Sequence, residues 1–383
     1  MKLLVWITAA ILFMLTVAML FTAGWERPPI DSEQTGFRGT GMVEVSNPRI
    51  AAPELERQLA AVPTSTAPPP PGGPTAGDIY QNVQLLGHLS VGEFNHLKQA
   101  WTDWIAPEQG CAYCHNLANM ASDEVYTKVV SRRMLEMNWA VNEDWNTHVG
   151  DTGVTCYTCH RGQNVPANAW YASDPSEHTG SGMLGWTAGQ NRPAEEVGLT
   201  SLPWDPFSAL ISDGDEPIRV VGRTVLPEGQ PIGSTQDNER TFALMIHMSS
   251  ALNVNCTYCH NTRNFGTWNQ SPPQRVTAWF GLEMTRLLNV EYILPLSPVL
   301  PDHRLGPMGT GQQVNCQTCH VGVPQPLGGL VMTENYPSLL ARPDADRFSL
   351  RQEDVNIFAS VQPVEQVEED PEDEEEEDAL LEF

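Results

Sequence analysis

Four times the sequence sets two cysteines three positions apart and follows the second at once with histidine: CAYCH at Cys111–His115, CYTCH at Cys156–His160, CTYCH at Cys256–His260 and CQTCH at Cys316–His320. All 8 cysteines of the 383-residue chain fall in these motifs. Redox disulfides form between cysteines so spaced, but they need no histidine after the pair. Zinc takes two such pairs per ion and gives no reason for a histidine at one offset four times. Covalent haem c uses every part of the motif: each thiol adds to one vinyl group, and the adjacent histidine turns under the ring to bind iron. The motifs therefore predict four haem c groups. They are held by Cys111 and Cys114, Cys156 and Cys159, Cys256 and Cys259, and Cys316 and Cys319, with His115, His160, His260 and His320 as proximal iron ligands.

Each iron has a second axial position. Six other histidines are available, His88, His96, His148, His178, His247 and His303, together with 13 methionines. The helix before each motif is the natural donor. Met134 lies 22 residues before Cys156, and Met245 lies 11 before Cys256. Met137, Met248 and His247 are local rivals, and helical methionines are commonly core residues. Methionine ligation raises the potential relative to bis-histidine ligation.

The elements that must position these residues form a repeat of helix, turn and CxxCH. The first helix is expected over SVGEFNHLKQAWTDWI, with Ser90 as N-cap and Pro107 as stop. The second runs through SDEVYTKVVSRRMLEMNWAV, capped by Ser122 or Asp123, and the third through DNERTFALMIHMSSAL. PPQRVTAWFGLEMTRLLNV, with prolines at its start, precedes the fourth motif. The motifs lie 45, 100 and 60 residues apart, which suggests two two-haem halves at about 79–165 and 240–337. A loop-rich connector joins them, with a short extended run at Ile218–Leu226. The expected fold is mainly α with extensive irregular loops, a multihaem cytochrome c organised around its haems, with a tetrahaem body over 79–358.

Residues 1–24 have no charge from Leu3 to Gly24, long enough to cross a bilayer and longer than a usual signal-peptide core. A retained transmembrane anchor is expected, with a cleaved signal as the alternative. Lys2 at the inner end would leave the bulk in the periplasm, the side on which haem c is attached. Residues 25–78, including PTSTAPPPPGGPTAG, read as a linker or surface wrap. Residues 359–383 read as a disordered acidic tail, with 12 acidic and no basic residues from Val361 to Phe383. The net charge of −26 argues against nucleic-acid binding.

RRMLEMNWAVNEDWNTHVGDTGVTCYTCHRG and TFALMIHMSSALNVNCTYCHN closely resemble the tetrahaem cytochrome subunit of bacterial photosynthetic reaction centres. LGHLSVGEF, WIAPEQGCAYCH and SPPQRVTAWFGLEMTRLLN do so as well, and the resemblance runs from about Asp78 to Pro337. It implies Met134 as ligand of the second haem, Met245 of the third and His148, from a distant loop, of the fourth. At the first haem the family's methionine position holds Lys98, 13 residues before Cys111. A lysine binds iron as the neutral amine. His96, on another helical face, Met120 just past the motif, another residue or an open position are the alternatives.

The resemblance also implies an electron-transfer subunit rather than an enzyme. It would sit on the periplasmic face of the photosynthetic inner membrane with the L, M and H subunits and the light-harvesting ring. It would pass electrons from a soluble cytochrome c or high-potential iron–sulfur protein to the photo-oxidised bacteriochlorophyll pair, the haems ordered third, fourth, second, first going away from the pair. An acidic surface suits a basic donor. A membrane-anchored tetrahaem quinol dehydrogenase and a free periplasmic carrier are the competing classes.

Overall fold

The computed structural model describes residues 2–22, 30–34, 43–172, 194–212, 218, 235–266, 268 and 270–343, and structural statements refer to these. The acidic tail, His178 and the expected extended run beyond Ile218 lie outside the described residues.

Helix α1, Lys2–Thr22, is apolar throughout and none of its residues is buried. Its 21 residues match the roughly 20 needed to cross a hydrocarbon core. The stretch expected as a linker or wrap is more structured than its composition suggested. Strands β1, Asp31–Gln34, and β2, Val43–Ser46, pair antiparallel, with Glu33 opposite Glu44. Helix α2, Pro48–Ala60, starts on Asn47, whose side chain accepts from the Arg49 amide at 3.1 Å, and Pro48 occupies a first-turn position where no amide hydrogen is needed. The Gln58 amide of α2 donates to Val321 O at 2.8 Å, beside the fourth motif, and the Tyr157 hydroxyl of the second motif donates to Ala61 O at 2.7 Å.

Helix α3, Val91–Ile105, begins as expected at Ser90, which exchanges bonds with Glu93 in a capping box. Leu97, Ala100 and Trp104 form its buried face. Phe94, Lys98 and Trp101, spaced four and three apart, form a second, partly buried stripe. Helix α4, Tyr126–Asp144, starts later than expected: neither Ser122 nor Asp123 caps it. Asp123 is instead taken by Lys128, Arg132 and Asn82. The short helix α5, Asn146–Val149, carries His148. Helices α7, Thr235–Leu252, and α8, Gln274–Leu287, follow, and α8 runs into a wider π-type turn, Leu288–Ile293.

The four motifs take two conformations. The second and fourth form one-turn helices, α6 (Cys156–His160) and α9 (Cys316–His320), each with reciprocal capping, by Thr155 with Thr158 and by Asn315 with Thr318. The first and third form tighter 3-10 turns at Gly110–Tyr113 and Cys256–Tyr258.

Three apolar clusters hold these pieces. The largest joins Leu97 and Trp104 of α3, Leu135 and Trp139 of α4, and Tyr157 to Met332, Tyr336 and Leu339 near the end of the body. A second gathers Trp170, Phe207, Ile211, Leu244 and Leu282, and a third joins Ala140 and Val141 of α4 to Met284, Leu288 and Tyr292. Two of the clusters therefore tie segments on either side of the connector. Helix α6 also packs on α9. The packing does not confirm a division into two halves: the second and fourth motifs, from opposite sides of the connector, meet directly. The described chain is mainly helical, with β1 and β2 as its named strands.

Candidate functional site

Each motif histidine is held by its own loop. His115 Nδ1 lies 3.0 Å from Met120 O, His160 Nδ1 3.0 Å from Gln163 O, His260 Nδ1 3.1 Å from Phe265 O and His320 Nδ1 3.2 Å from Val323 O. A carbonyl is only an acceptor, so Nδ1 carries the hydrogen and the lone pair is left on Nε2. Burial lowers the pKa of all four, that of His320 to about 4, which keeps the rings neutral. Four neutral imidazoles with Nδ1 anchored and Nε2 free are the donor set a haem iron requires.

Burial also pushes the Cys156 and Cys316 thiols up to about 12 and Cys259 to about 11. Among the described residues no three of His, Cys, Asp or Glu converge on a common point. Cys159 and Cys319 stand side by side, Cα atoms 4.7 Å apart and sulfurs joined as a disulfide, while the other six cysteines are free. A sulfur in that bond cannot also form a thioether, so a haem held at the second or fourth motif would need both as thiols.

His148 reaches the fourth motif. Its ring centroid lies 6.0 Å from that of His320, with the planes at 72°. At that separation the two rings would be able to hold one iron between them. His148 Nδ1 is tied to Thr277 O of α8 at 2.9 Å, which leaves Nε2 free here too. Space for the ring comes from Gly281, one turn further along α8. A Cβ there would stand 2.5 Å from Cε1 and 2.8 Å from Nδ1 of His148. This glycine was missed in the sequence; its signal was a glycine inside a strongly helical run.

Lys98 projects from α3, which packs on α6. Its ammonium lies 3.9 Å from the Trp101 ring centroid and 5.4 Å from that of Phe94, with the sulfurs of Cys114 and Cys156 among its electrostatic neighbours. Among the described residues no carboxylate or hydrogen-bond acceptor pairs with it. Burial draws its pKa down to about 8, bringing the neutral amine within reach. The rivals are engaged elsewhere. His96 lies 3.4 Å from Thr66 Oγ1 through Nδ1 and 3.2 Å from Asn335 O through Nε2, and stacks on Tyr336. The Met120 carbonyl anchors His115, which places that residue on the proximal side.

Met134 and Met245 are both half-buried on the helices that precede their motifs. Met137 packs into the third cluster as a core residue, whereas Met248 shares the second cluster with Met245. His247 is buried, with Nδ1 2.9 Å from Glu196 O, its ring edge on Phe207 and Nε2 without a described partner. His88 and His303 are exposed.

Arg161, directly after the second motif, also escaped the sequence reading. Its guanidinium donates to Gln58 Oε1 at 2.8 Å, to Cys319 O at 2.9 Å and to Thr158 O at 3.3 Å, joining α2, α6 and α9.

The family described as the photosynthetic reaction centre cytochrome C subunit matches residues 26–340. The chain is 48% identical over 334 residues to the photosynthetic reaction center cytochrome c subunit of Rubrivivax gelatinosus, covering 86% of this chain and 90% of the relative. The subunit of the same name from Thermochromatium tepidum is 45% identical over 327 residues, covering 85% and 79%, and that of Roseobacter denitrificans 40% over 324 residues, covering 80% and 85%.

Proposed function

The chain belongs to the photosynthetic reaction centre cytochrome c subunit family, and from that premise we propose how its residues perform the work of that family. It is an electron-transfer subunit that uses haem c, an electron carrier and not an enzyme, associated with the reaction centre in the photosynthetic membrane. We infer four haem c groups, one per motif, with both cysteines as thioether anchors and His115, His160, His260 and His320 as proximal ligands. The distal ligands are then Met134 for the second, Met245 for the third, His148 for the fourth and Lys98 for the first.

Haem c supplies a one-electron couple whose potential follows its axial ligands, hydrogen bonding and burial. The chain's part is to orient and to insulate. The carbonyls on Nδ1 fix each imidazole's rotation and raise its basicity. The single observation that carries the reading is the approach of His148 to His320, with both Nδ1 atoms anchored and Gly281 leaving room between α5 and α8. For Lys98 the support is energetic. Taking an ammonium out of water costs several kcal/mol, and a desolvated cation–π contact returns about 2 kcal/mol. An iron that binds the neutral amine removes that deficit.

The path we propose runs from the pigment pair through the third, fourth, second and first motifs. The contacts of α7 with α9, α9 with α6, and α6 with α3 support that order. The partners proposed are the L, M and H subunits, the light-harvesting ring, and a soluble cytochrome c or high-potential iron–sulfur protein as donor. The net charge of −26 favours a basic donor. Helix α1 is proposed as the anchor, with the body periplasmic. Quinol oxidation by the chain itself is not favoured by the comparisons.

The test is the intact mass of the purified subunit together with flash spectroscopy of membranes. Four haems per chain, one with two imidazole ligands by electron paramagnetic resonance, and oxidation of the chain after each flash are expected. Fewer than four haems, or a chain that stays reduced after the flash, would overturn the reading.

A further inference from the structure

The chain has three lysines, Lys2, Lys98 and Lys128, and both lysines of the body lie at the first motif. Lys128 is the unexpected one. It sits in the first turn of α4, where the helix dipole disfavours a cation, and it is 7% exposed. A buried ammonium in that position needs dedicated partners, and it has them. Its Nζ donates to Met120 O at 3.0 Å, Ala121 O at 2.9 Å and Ser122 O at 2.9 Å, and lies 3.1 Å from Asp123 Oδ1.

One of those carbonyls has a second task. Met120 O is the acceptor for His115 Nδ1, also at 3.0 Å. The ammonium and the imidazole therefore share one oxygen. With Lys2 in α1 and Lys98 facing Trp101, no lysine shares Gln163 O, Phe265 O or Val323 O, the acceptors of the other three motif histidines. We propose that Lys128 is a positioning residue that sets the potential of the first haem by sharing the Met120 carbonyl with His115.

The physical chain is short. A strong Nδ1–H···O=C bond gives an imidazole anionic character and favours ferric iron. An ammonium on the same oxygen polarises its lone pairs toward itself and weakens the imidazole's share. His115 is then the weaker base, and ferrous iron gains. The positive charge acts in the same direction. Asp123 moderates it, and is itself shared with Arg132 at 2.8 Å and with the Asn82 amide at 2.8 Å. The effect opposes the lowering expected from a nitrogen ligand on the distal side.

The inference rests on His115 being the iron ligand of the first haem, so the experiment counts haems first. In the intact subunit, Lys128→Met removes the donor and Lys128→Arg keeps one. With four haems still attached by mass, a redox titration of Lys128→Met should show one component shifted downward and three unmoved, while Lys128→Arg stays near the parent. An unmoved or raised component, equal shifts in all four, or the same shift in Lys128→Arg overturns the proposal. If Lys128→Met carries fewer than four haems, Asp123→Asn decides. It leaves the ammonium less neutralised, so the same component should rise, and an unchanged titration overturns the proposal. A parent subunit that lacks a haem at Cys111 and Cys114 overturns the premise instead, and the mass shows which has failed.

Discussion

Gly281→Ala reaches a proposed iron site without replacing a proposed ligand. The added methyl carbon would stand 2.5 Å from Cε1, 2.8 Å from Nδ1 and 3.1 Å from Nε2 of His148. Non-bonded carbons settle at about 3.5–4.0 Å, so the ring must retreat by roughly 1 Å. Ligand distances at a metal site hold within about 0.2 Å. The displaced ring therefore leaves bonding range, and its anchor on Thr277 O, 2.9 Å at present, stretches with it. Alanine inside a helix is favoured over glycine by about 1 kcal/mol, so α8 itself should be no weaker. Local stability and ligation then move in opposite directions, which separates this mechanism from general damage. In the intact subunit, electron paramagnetic resonance should lose the bis-imidazole signal, and one redox component should rise as a nitrogen ligand is lost. His148→Met is the control, because sulfur also raises the potential while keeping six ligands. A Gly281→Ala subunit with the bis-imidazole signal and all four components unchanged would refute the placement of His148 at the fourth iron.

Lys98→Met replaces the amine with a thioether; one redox component should rise, accompanied by the near-infrared band of methionine–iron ligation, and no spectral change would remove Lys98 from the site. Arg161→Met deletes three donations across α2, α6 and α9. Hydrogen bonds from a charged group are worth about 1.5–3 kcal/mol, so a loss of roughly 2 kcal/mol is expected in urea unfolding, with ligand spectra unchanged. Asp123 is held below the usual carboxylate range, first by its bond to Arg132. A depressed folded pKa means its contribution is present above the unfolded value of about 3.9 and is lost as pH falls through the folded one. The protection factors of amides in residues 116–128, exchange rates corrected for the intrinsic rate at each pH, should therefore fall below pH ~4, and Asp123→Asn should remove that dependence.

Local rules read well where they had no tertiary rival. Ser90 and Glu93 cap α3 as the spacing of a hydroxyl and a carboxylate requires. Ser122 and Asp123 offered the same signal before α4, yet the helix starts at Tyr126. The carboxylate gained more from Lys128 and Arg132 than from a cap, and nothing local announces those partners. The proline-rich segment hid α2 because composition speaks of average stiffness, while Asn47 and Pro48 specify a helix start. His148 illustrates the other limit. Its sequence neighbours are those of a surface turn, and only the family resemblance pointed to it. What makes it a ligand candidate is α8, more than 120 residues later, offering a carbonyl at Thr277 and a missing side chain at Gly281.

Pairing the motifs by sequence distance also gave way to packing, and the consequence reaches the proposed path. Cys111 and Cys256 are exposed, whereas Cys156 and Cys316 have thiols pushed to about 12 by burial. The interior pair is the second and fourth, where Cys159 and Cys319 stand side by side and Arg161 bridges the two motifs, and the outer pair is the first and third. The proposed path thus takes its middle and two ends from burial and not from chain order. The interior motifs share one helical conformation, reciprocal capping and a left-handed exit at Arg161 and Val321. The outer motifs share the 3-10 turn. At the two ends the surroundings differ: Lys98 and Lys128 lie near His115 of the first motif, while Glu44 of β2 accepts from the Asn255 amide beside the third at 3.0 Å. In the proposed arrangement the interior site is the one with imidazole on both sides, His148 and His320, whose ring centroids lie 6.0 Å apart.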